Sequence, residues 1–254
     1  MWSNFNIEKF IDIKSAESFD SSISMMVFRL SVILDLDIDE VYKWDVDEVI
    51  KEYEKIRFLN TEPDKNINDI VVKGADFKLV PFSNLTYGQF IDLEFYFTEN
   101  WVENLHYIVS ILWLRYKKVD DFTEYEFEPY NKVDLHKKAD IFKKDVMVND
   151  IFGVFDLVSN FRKSVFEGYD FFNTDEEGEI DWDNLNEEQT EIVKEELEKL
   201  EVERKNTWME ILWVLSEGDI TRQKEILDNE LYFVFNTLSY RIKKDREVSV
   251  MKNK

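Results

Sequence analysis

Glycine and proline, the residues that most readily turn a chain, are scarce in this sequence. Only six glycines and three prolines occur among 254 residues, although 44% of the chain is hydrophobic. Sandwiches and barrels of β-strands need many tight turns, so this composition favours long helices joined by short connections. The hydrophobic share is large enough for a packed core and argues against a disordered chain. We therefore expect a folded, mainly helical protein.

The chain carries a strong excess of negative charge. Its 55 aspartates and glutamates outnumber its 32 lysines and arginines, which gives a formal net charge of -23 at pH 7. Because proteins bind nucleic acids by neutralising phosphates with lysine and arginine, we expect no general nucleic-acid binding. Acidity of this kind keeps a protein in solution and speeds its association with a basic partner.

The residue inventory excludes several kinds of chemistry. The chain has no cysteine, which removes disulfides, iron–sulfur clusters and zinc sites built on thiolates. Its longest apolar run, residues 108–114 with Ser110 inside it, is far shorter than the roughly 20 residues that span a bilayer. The first residues are mixed and acidic rather than basic and then apolar. We therefore expect no secretory signal, no membrane partner and a soluble protein.

One short segment of the sequence predicts β-structure. Residues 70–72 and 77–80 are rich in β-branched and other apolar side chains, and a turn containing Gly74 separates them. This pattern is typical of two short strands joined by a turn. We therefore predict one small β-hairpin near residues 70–80, in a fold that is otherwise mainly α.

Helical spacing of apolar residues predicts the other elements. Thr86 can cap a helix over residues 87–97, and residues 103–116 predict a second helix that is apolar on most faces. A helix of that kind is buried, so we expect Trp113 in the core. The last helix is predicted over residues 230–244, with its apolar side chains on one face and a frayed tail beyond it.

Carboxylates are concentrated in one stretch of the chain. Residues 175–201 hold 13 acidic residues against two lysines, a density that repels itself at low salt. We therefore predict a multi-helix N-terminal domain over residues 1–172, an acidic linker over residues 173–186 and a C-terminal helical unit over residues 187–248.

The segment Asn173–Asn184 imitates the 12-residue calcium loop of an EF-hand. It offers side-chain oxygens at loop positions 1, 3, 5 and 9, with Gly178 at position 6 and Ile180 at position 8. Position 12, however, is Asn184, which cannot supply the bidentate carboxylate that completes the coordination of the cation. A solvated acidic linker with a glycine turn is the other interpretation. Tight calcium binding is not expected, and weak binding stays open.

No other residue pattern predicts a catalytic or cofactor site. His106 lies in the most apolar helix and His136 in a predicted basic loop within residues 117–150. A lone histidine is more often a core or surface residue than a ligand or base. The chain has no Gly-x-Ser-x-Gly elbow and no glycine pattern for nucleotide phosphates. We predict no catalytic, cofactor-binding or metal-binding residues, and therefore a protein that is not an enzyme.

The sequence also contains large aromatic side chains and a cluster of basic residues, for which we consider structural and binding roles. We expect the aromatic residues in the core, with a groove for a partner helix as the alternative. They are Phe90, Tyr96, Trp101, Trp113, Trp208 and Trp213. The basic cluster in the last predicted helix comprises Arg241, Lys243, Lys244 and Arg246. Contact with nucleic acid is one role open to this cluster, and stabilising the C-terminus of its own helix is the stronger hypothesis.

Three segments resemble a group of bacteriophage proteins that are linked to tail assembly. The first runs from Val32 through the predicted hairpin to Leu85-Thr86-Tyr87-Gly88-Gln89-Phe90-Ile91-Asp92-Leu93-Glu94 and the apolar helix after it. The second combines Tyr125 to Tyr130 with Asp150 to Phe155. The third, Trp208 to Arg241, is similar to the C-terminal part of tail-assembly-chaperone-like proteins. The chain departs from the family pattern in its acidic insert, residues 173–201, and in lacking a proline after the apolar helix.

The resemblance implies a non-enzymatic phage morphogenesis protein that binds another phage protein, as a tail assembly chaperone does. Its partners are then other phage structural or assembly proteins, and it is located in the host cytoplasm during assembly or in the virion. The departures from the family pattern leave open a structural component of the virion, such as a cargo, connector or tail protein.

Charge alone suggests a different class of function, an acidic inhibitor or DNA mimic acting on a host protein. A mimic is expected to present carboxylates at regular spacing over its surface, whereas here they are concentrated in the acidic linker. Mass spectrometry of purified virions separates these hypotheses. Presence in the particle indicates a virion component, and absence indicates a chaperone or an inhibitor.

Overall fold

The fold combines many helices with one small antiparallel sheet. The computed structural model describes residues 1–119, 125–169, 171–172 and 207–252. The predicted fold class, mainly α with a small β-hairpin, is confirmed, and the hairpin supplies two of the four strands of the sheet.

The helices and strands are numbered in the order in which they follow one another along the chain. The helices are α1 (Ile7–Ser15), α2 (Ser22–Leu34), α3 (Ile38–Val41), α4 (Val46–Lys55), α5 (Tyr87–Asn100), α6 (Leu105–Leu112), α7 (Leu135–Asp145), α8 (Val148–Ile151), α9 (Val154–Gly168), α10 (residues 207–216), α11 (Ile220–Asp228) and α12 (Leu231–Lys252). The strands are β1 (Ile70–Val72), β2 (Ala75–Leu79), β3 (Trp113–Lys118) and β4 (Tyr125–Phe127). Short 3-10 helices cover Trp2–Asn4, Ala16–Ser18, Arg57–Asn60, Phe82–Asn84 and Tyr130–Lys132.

The chain forms two compact units, each built from two stretches of sequence. Unit 1 contains Met1–Leu79 and Asn100–Leu157, and unit 2 contains Val80–Glu99 and Val158–Lys254. The predicted acidic linker, residues 173–186, lies outside the described residues. The predicted boundary after residue 172 therefore stays a prediction.

Helices α2, α3 and α4 enclose a core cluster in unit 1. Its buried members are Val27, Leu30, Val41, Val49 and Tyr53. Arg29 is buried beside this cluster, and its guanidinium donates hydrogen bonds to the Tyr53 hydroxyl (2.9 Å) and to the Glu17 carboxylate (3.1 Å). These partners offset the cost of taking a charge out of water.

The sheet of unit 1 has the strand order β1-β2-β3-β4, and every neighbouring pair is antiparallel. β1 and β2 form the predicted hairpin, which turns at Lys73 and Gly74. β3 pairs with β2 in the register Phe77 opposite Arg115. Only the first two strands were predicted, because β3 begins inside a segment with helical periodicity.

The apolar helix predicted over residues 103–116 is shorter than expected. α6 ends at Leu112, and Trp113 begins β3 by pairing with Leu79 of β2. The helix prediction is wrong for the last four residues. Three of them, residues 113–115, pair with β2, which lies far earlier in the chain and leaves no trace in local periodicity. Trp113 is fully buried, as predicted.

Two side chains, Trp113 and Lys138, form hydrogen bonds to backbone carbonyls at the point where α6 ends and β3 begins. The indole N–H of Trp113 donates to the backbone carbonyl of Asn68 (2.9 Å). The ammonium group of Lys138, on α7, donates to the backbone carbonyls of Ser110 (2.9 Å) and Trp113. Carbonyls at a helix end need partners from outside the helix, and Lys138 supplies one.

Aromatic rings form the core of unit 2. The ring of Phe90 packs edge-on against Trp208, Phe161 and Phe235, at centroid distances of 5.0, 6.0 and 5.7 Å. Edge-to-face pairs of this kind add about 0.5–1.5 kcal/mol each beyond the apolar area that they bury.

Thr86 caps α5, as predicted. The Gln89 N–H donates to Thr86 Oγ1 (3.2 Å), and the Thr86 N–H donates to Gln89 Oε1 (3.1 Å), which is a capping box. The next residue, Tyr87, is fully buried, with its N–H bonded to the Asn229 carbonyl and its hydroxyl bonded to the Trp208 carbonyl. The Leu-Thr-Tyr-Gly-Gln motif therefore ties α5 to the C-terminal part of unit 2.

The last helix is longer than predicted. Residues 230–244 were expected to be helical, and α12 continues to Lys252. Its buried side chains, Leu231, Val234, Phe235 and Leu238, all lie in the first part of the helix. Apolar periodicity therefore marks only the packed part of α12, and the exposed continuation was missed.

Candidate functional site

Features that hold metals or cross membranes are not found in the described residues. Within those ranges, no group of three or more histidine or acidic side chains is placed to hold a metal ion. None of the described helices is both long and apolar enough to cross a membrane. The EF-hand-like segment, residues 173–184, lies outside the described part of the chain, so the expectation of weak or no calcium binding stays a prediction.

Both histidines belong to unit 1, and both contact Tyr107. The ring of His106, on α6, lies 4.3 Å from the Tyr107 ring, and His136 Nδ1 is 3.2 Å from the Tyr107 hydroxyl. His136 lies in helix α7, so the prediction of a loop at this residue is wrong. Burial lowers the pKa of His106 to about 4, and the Lys143 ammonium adds to this shift. A histidine that stays neutral down to such a pH is poorly matched to acid–base work near neutrality.

The six aromatic residues predicted for the core divide into three groups. Phe90, Trp113 and Trp208 are buried, which confirms the prediction for them, and Tyr96 and Trp101 are only partly buried. Trp213 is different, because 62% of it is exposed. The core prediction is wrong for this residue.

Helical spacing explains why Trp213 faces outward. The buried apolar residues of α10 are Trp208, Ile211, Leu212 and Leu215, at the spacing of a single helical face. At about 100° per residue, Trp213 falls on the far side of the helix from Trp208. The helical spacing that places Trp213 on the exposed face can be read from the sequence. The core prediction followed instead the general preference of tryptophan for the protein interior.

Several large apolar side chains lie exposed near Trp213. Met209 and Trp213 are neighbours four residues apart on α10, Val214 follows directly, and Ile220 lies in the first turn of α11. More than half of each residue is exposed, and for Ile220 the fraction reaches 79%. We call Met209, Trp213, Val214 and Ile220 the Trp213 surface. It was missed because residue type alone does not distinguish an exposed apolar face from a buried core.

The turn after α10 holds the Trp213 ring in place. Gly218 has a φ of 78°, and a Cβ atom there would lie only 3.1 Å from Cζ2 of Trp213. Glycine therefore provides both the left-handed backbone conformation and the space against which the indole ring packs. Asp219 then caps α11 by accepting a hydrogen bond from the Thr221 N–H (2.8 Å).

Arg241 links α12 to the C-terminal end of α10. Its guanidinium donates to the Val214 carbonyl (3.3 Å) and lies 3.7 Å from the Glu217 carboxylate. A positive charge at the C-terminus of a helix is favourable, but the helix that benefits is α10. The prediction that the basic cluster stabilises the end of its own helix is wrong for Arg241, since α12 continues to Lys252.

Comparison with known proteins gives no relative from which a function could be carried over. No protein-family model, no curated protein and no solved structure matches the chain. The residues of the chain and the Trp213 surface are therefore what points to a function.

Proposed function

We propose that this chain is a non-enzymatic morphogenesis protein of a bacteriophage, which binds another phage protein as tail assembly chaperones do. The exposed Trp213 surface is the observation that supports a protein-binding role. The phage context rests on the resemblance of the chain to tail assembly proteins, above all in the segments Leu85–Glu94 and Trp208–Arg241.

The composition of the Trp213 surface suits a protein interface. Tryptophan and methionine are enriched in the centres of interfaces, and tryptophan is among the residues whose loss weakens binding most. Burying a large apolar side chain contributes about 1.5–3 kcal/mol relative to leaving it in water. Large exposed apolar side chains on neighbouring positions of a helix, such as Met209 and Trp213, are a feature of interaction surfaces.

The surroundings of the Trp213 surface favour a preformed site. The turn at Gly218 packs against the indole ring, and Arg241 fastens the end of α10. An anchor that is already held in its binding conformation loses less entropy when the partner arrives. The partner is then expected to offer a complementary apolar groove or helix face.

Capture of the partner from infected cells tests this proposal. For this experiment a photo-crosslinking amino acid replaces Met209. The proteins that become crosslinked to it are identified by mass spectrometry. We expect a phage structural or assembly protein, with its yield reduced by Trp213→Ala. Tyr42→Ala is the matched control, because Tyr42 is also an exposed aromatic residue but belongs to unit 1.

Two outcomes would contradict the proposal: capture of host proteins alone, which favours an acidic inhibitor, or equal loss of the phage protein with both variants. Mass spectrometry of purified virions then separates an assembly chaperone, which is absent from the particle, from a structural component, which is present in it.

A further inference from the structure

A small cavity opens in unit 1 between the sheet and α7. Its volume is about 230 Å³, and apolar residues of β1, β2 and α7 line it. Three of them, Val72, Phe77 and Phe142, are buried residues of the core. The cavity therefore has an apolar floor, which favours the hydrocarbon part of a ligand.

The rim of this cavity is positively charged, although the protein as a whole is strongly acidic. Lys73, Arg115 and Lys137 line it, and none of the three forms an ion pair with a carboxylate of the described residues. Two carboxylates, Asp134 and Glu128, also line the cavity. Asp134 is the N-cap of α7 and accepts a hydrogen bond from the Lys137 N–H. Positive charge is left without a close partner at this rim.

Lys138, whose ammonium donates to the carbonyls of Ser110 and Trp113, adds a fourth cation to the wall of the cavity when it is protonated. Its ammonium lies 5.2 Å from the centre of the Phe77 ring, and the guanidinium of Arg115 lies 5.5 Å from the same ring. Burial lowers the pKa of Lys138 to about 7; the carboxylate of Glu128 opposes this shift and the charge of Arg115 adds to it. An anion in the cavity would offset both the burial of Lys138 and its repulsion from Arg115.

The size of the cavity limits what can bind. Its volume of about 230 Å³ corresponds to roughly eight water molecules at about 30 Å³ each. The apolar floor offers no partner to the hydroxyl groups of a sugar phosphate, and a bare inorganic ion would leave this floor uncovered. A carboxylate with a short apolar group satisfies both the floor and the rim.

We propose that this cavity, bounded by Phe77, Phe142, Arg115, Lys137 and Lys138, binds a carboxylate carried on a small apolar group. The C-terminal residue of a protein chain and a short free acid both have this chemistry. The inference does not depend on the proposed phage function, because it rests only on the cavity of unit 1.

Calorimetric titration of the full chain with sodium 4-methylpentanoate tests the inference. We expect saturable binding, with 4-methylpentanamide and acetate each weaker by about tenfold or more, since one lacks the charge and the other lacks the apolar group. A short peptide that ends in leucine, with a free or an amidated C-terminus, distinguishes the two sources. Tighter binding of the free peptide than of 4-methylpentanoate assigns the site to a protein C-terminus, and weaker binding assigns it to a free acid.

Variants with equal changes of charge complete the test. Arg115→Gln and Lys137→Gln should each weaken binding of 4-methylpentanoate about fivefold or more, since each removes one cation from the rim. Lys144→Gln removes one positive charge from an exposed position of the same helix, outside the lining, and should leave binding unchanged. Absence of saturable binding, equal binding of the amide, or an equal loss with Lys144→Gln would overturn the inference.

Discussion

The adjacent residues Lys137 and Lys138 show that the local sequence alone does not determine whether a side chain is buried. Lys137 and Lys138 are adjacent on α7, yet Lys137 is exposed, and Lys138 points inward and bonds the carbonyls of Ser110 and Trp113. The two positions look alike in the sequence. Only the packing of α7 against the end of α6 separates a solvated lysine from one that helps to end a helix.

Replacing Lys138 is expected to change how stability depends on pH. The folded protein releases the proton of Lys138 near pH 7, because burial lowers its pKa to about 7, whereas an unfolded chain keeps it until about pH 10.4. Between these values the unfolded state binds more protons, so the free energy of unfolding rises with pH, by at most about 1.4 kcal/mol per pH unit. Lys138→Met should remove this contribution.

Chemical denaturation at several pH values between 7 and 10 measures the effect. Lys144→Met, at an exposed position on the same helix, is the matched control and should keep the slope of the wild-type chain. Identical slopes for the two variants would show that Lys138 does not release its proton in this range.

A second prediction at this scale concerns Gly153. A Cβ atom there would lie 2.6 Å from the Lys65 carbonyl oxygen and 2.9 Å from Cγ1 of Ile67. Gly153→Ala must push the backbone of residues 65–67 aside, and overpacking of this kind costs about 1–3 kcal/mol. Gly168→Ala is the control, because no atom lies within 4 Å of its Cβ position. Denaturant unfolding should show a loss for Gly153→Ala alone, and equal stabilities would contradict the prediction.

At the scale of elements, the sequence predicts those whose determinants are local. The hairpin of β1 and β2 and the capping box of Thr86 and Gln89 each lie within a few residues, and both were found. β3 and the end of α6 depend on Leu79 and Lys138, which are remote in the chain. The sequence therefore does not predict these two features. The Trp213 surface was missed for another reason. Its residues are of the types found in cores, and for Met209, Trp213 and Val214 only the angular position on α10 shows that they face outward.

The two tryptophans that the sequence treated alike should respond differently to the same substitution. Trp113 is fully buried, so Trp113→Ala removes its contacts and leaves a cavity, at a cost of about 3–5 kcal/mol. Trp213 is 62% exposed, so Trp213→Ala should cost less than about 1 kcal/mol. Urea unfolding of the two variants measures both values. A loss below about 1 kcal/mol for Trp113→Ala would mean that this position is not part of the core.

At the scale of the whole molecule, the dominant property is charge. A net charge of -23 repels acidic surfaces and nucleic acids and speeds approach to basic ones, by an amount that falls as salt is added. Charge therefore acts on association rates, whereas the apolar Trp213 surface acts on how long a complex lasts. In the proposed complex, the two features would act at different steps of binding.

The acidic linker provides the test of this division. Six of its carboxylates lie within ten positions, at Asp175, Glu176, Glu177, Glu179, Asp181 and Asp183. Neutralising them to Asn or Gln should slow association with the partner proposed above and flatten its dependence on salt, because a dense cluster of charge contributes most to steering. Stopped-flow association between low and high salt measures both quantities.

The control must lose the same charge elsewhere, so that net charge alone cannot explain the result. Six exposed carboxylates of unit 1 serve for this, again three aspartates and three glutamates: Asp20, Asp39, Glu40, Asp47, Glu48 and Glu62. If both variants flatten the salt dependence equally, the linker is only one part of a diffuse negative field. If neither does, its acidity serves solubility. Tight binding of calcium by the wild-type chain, seen in a micromolar titration, would instead make the segment an ion-binding loop, despite the asparagine at its last position.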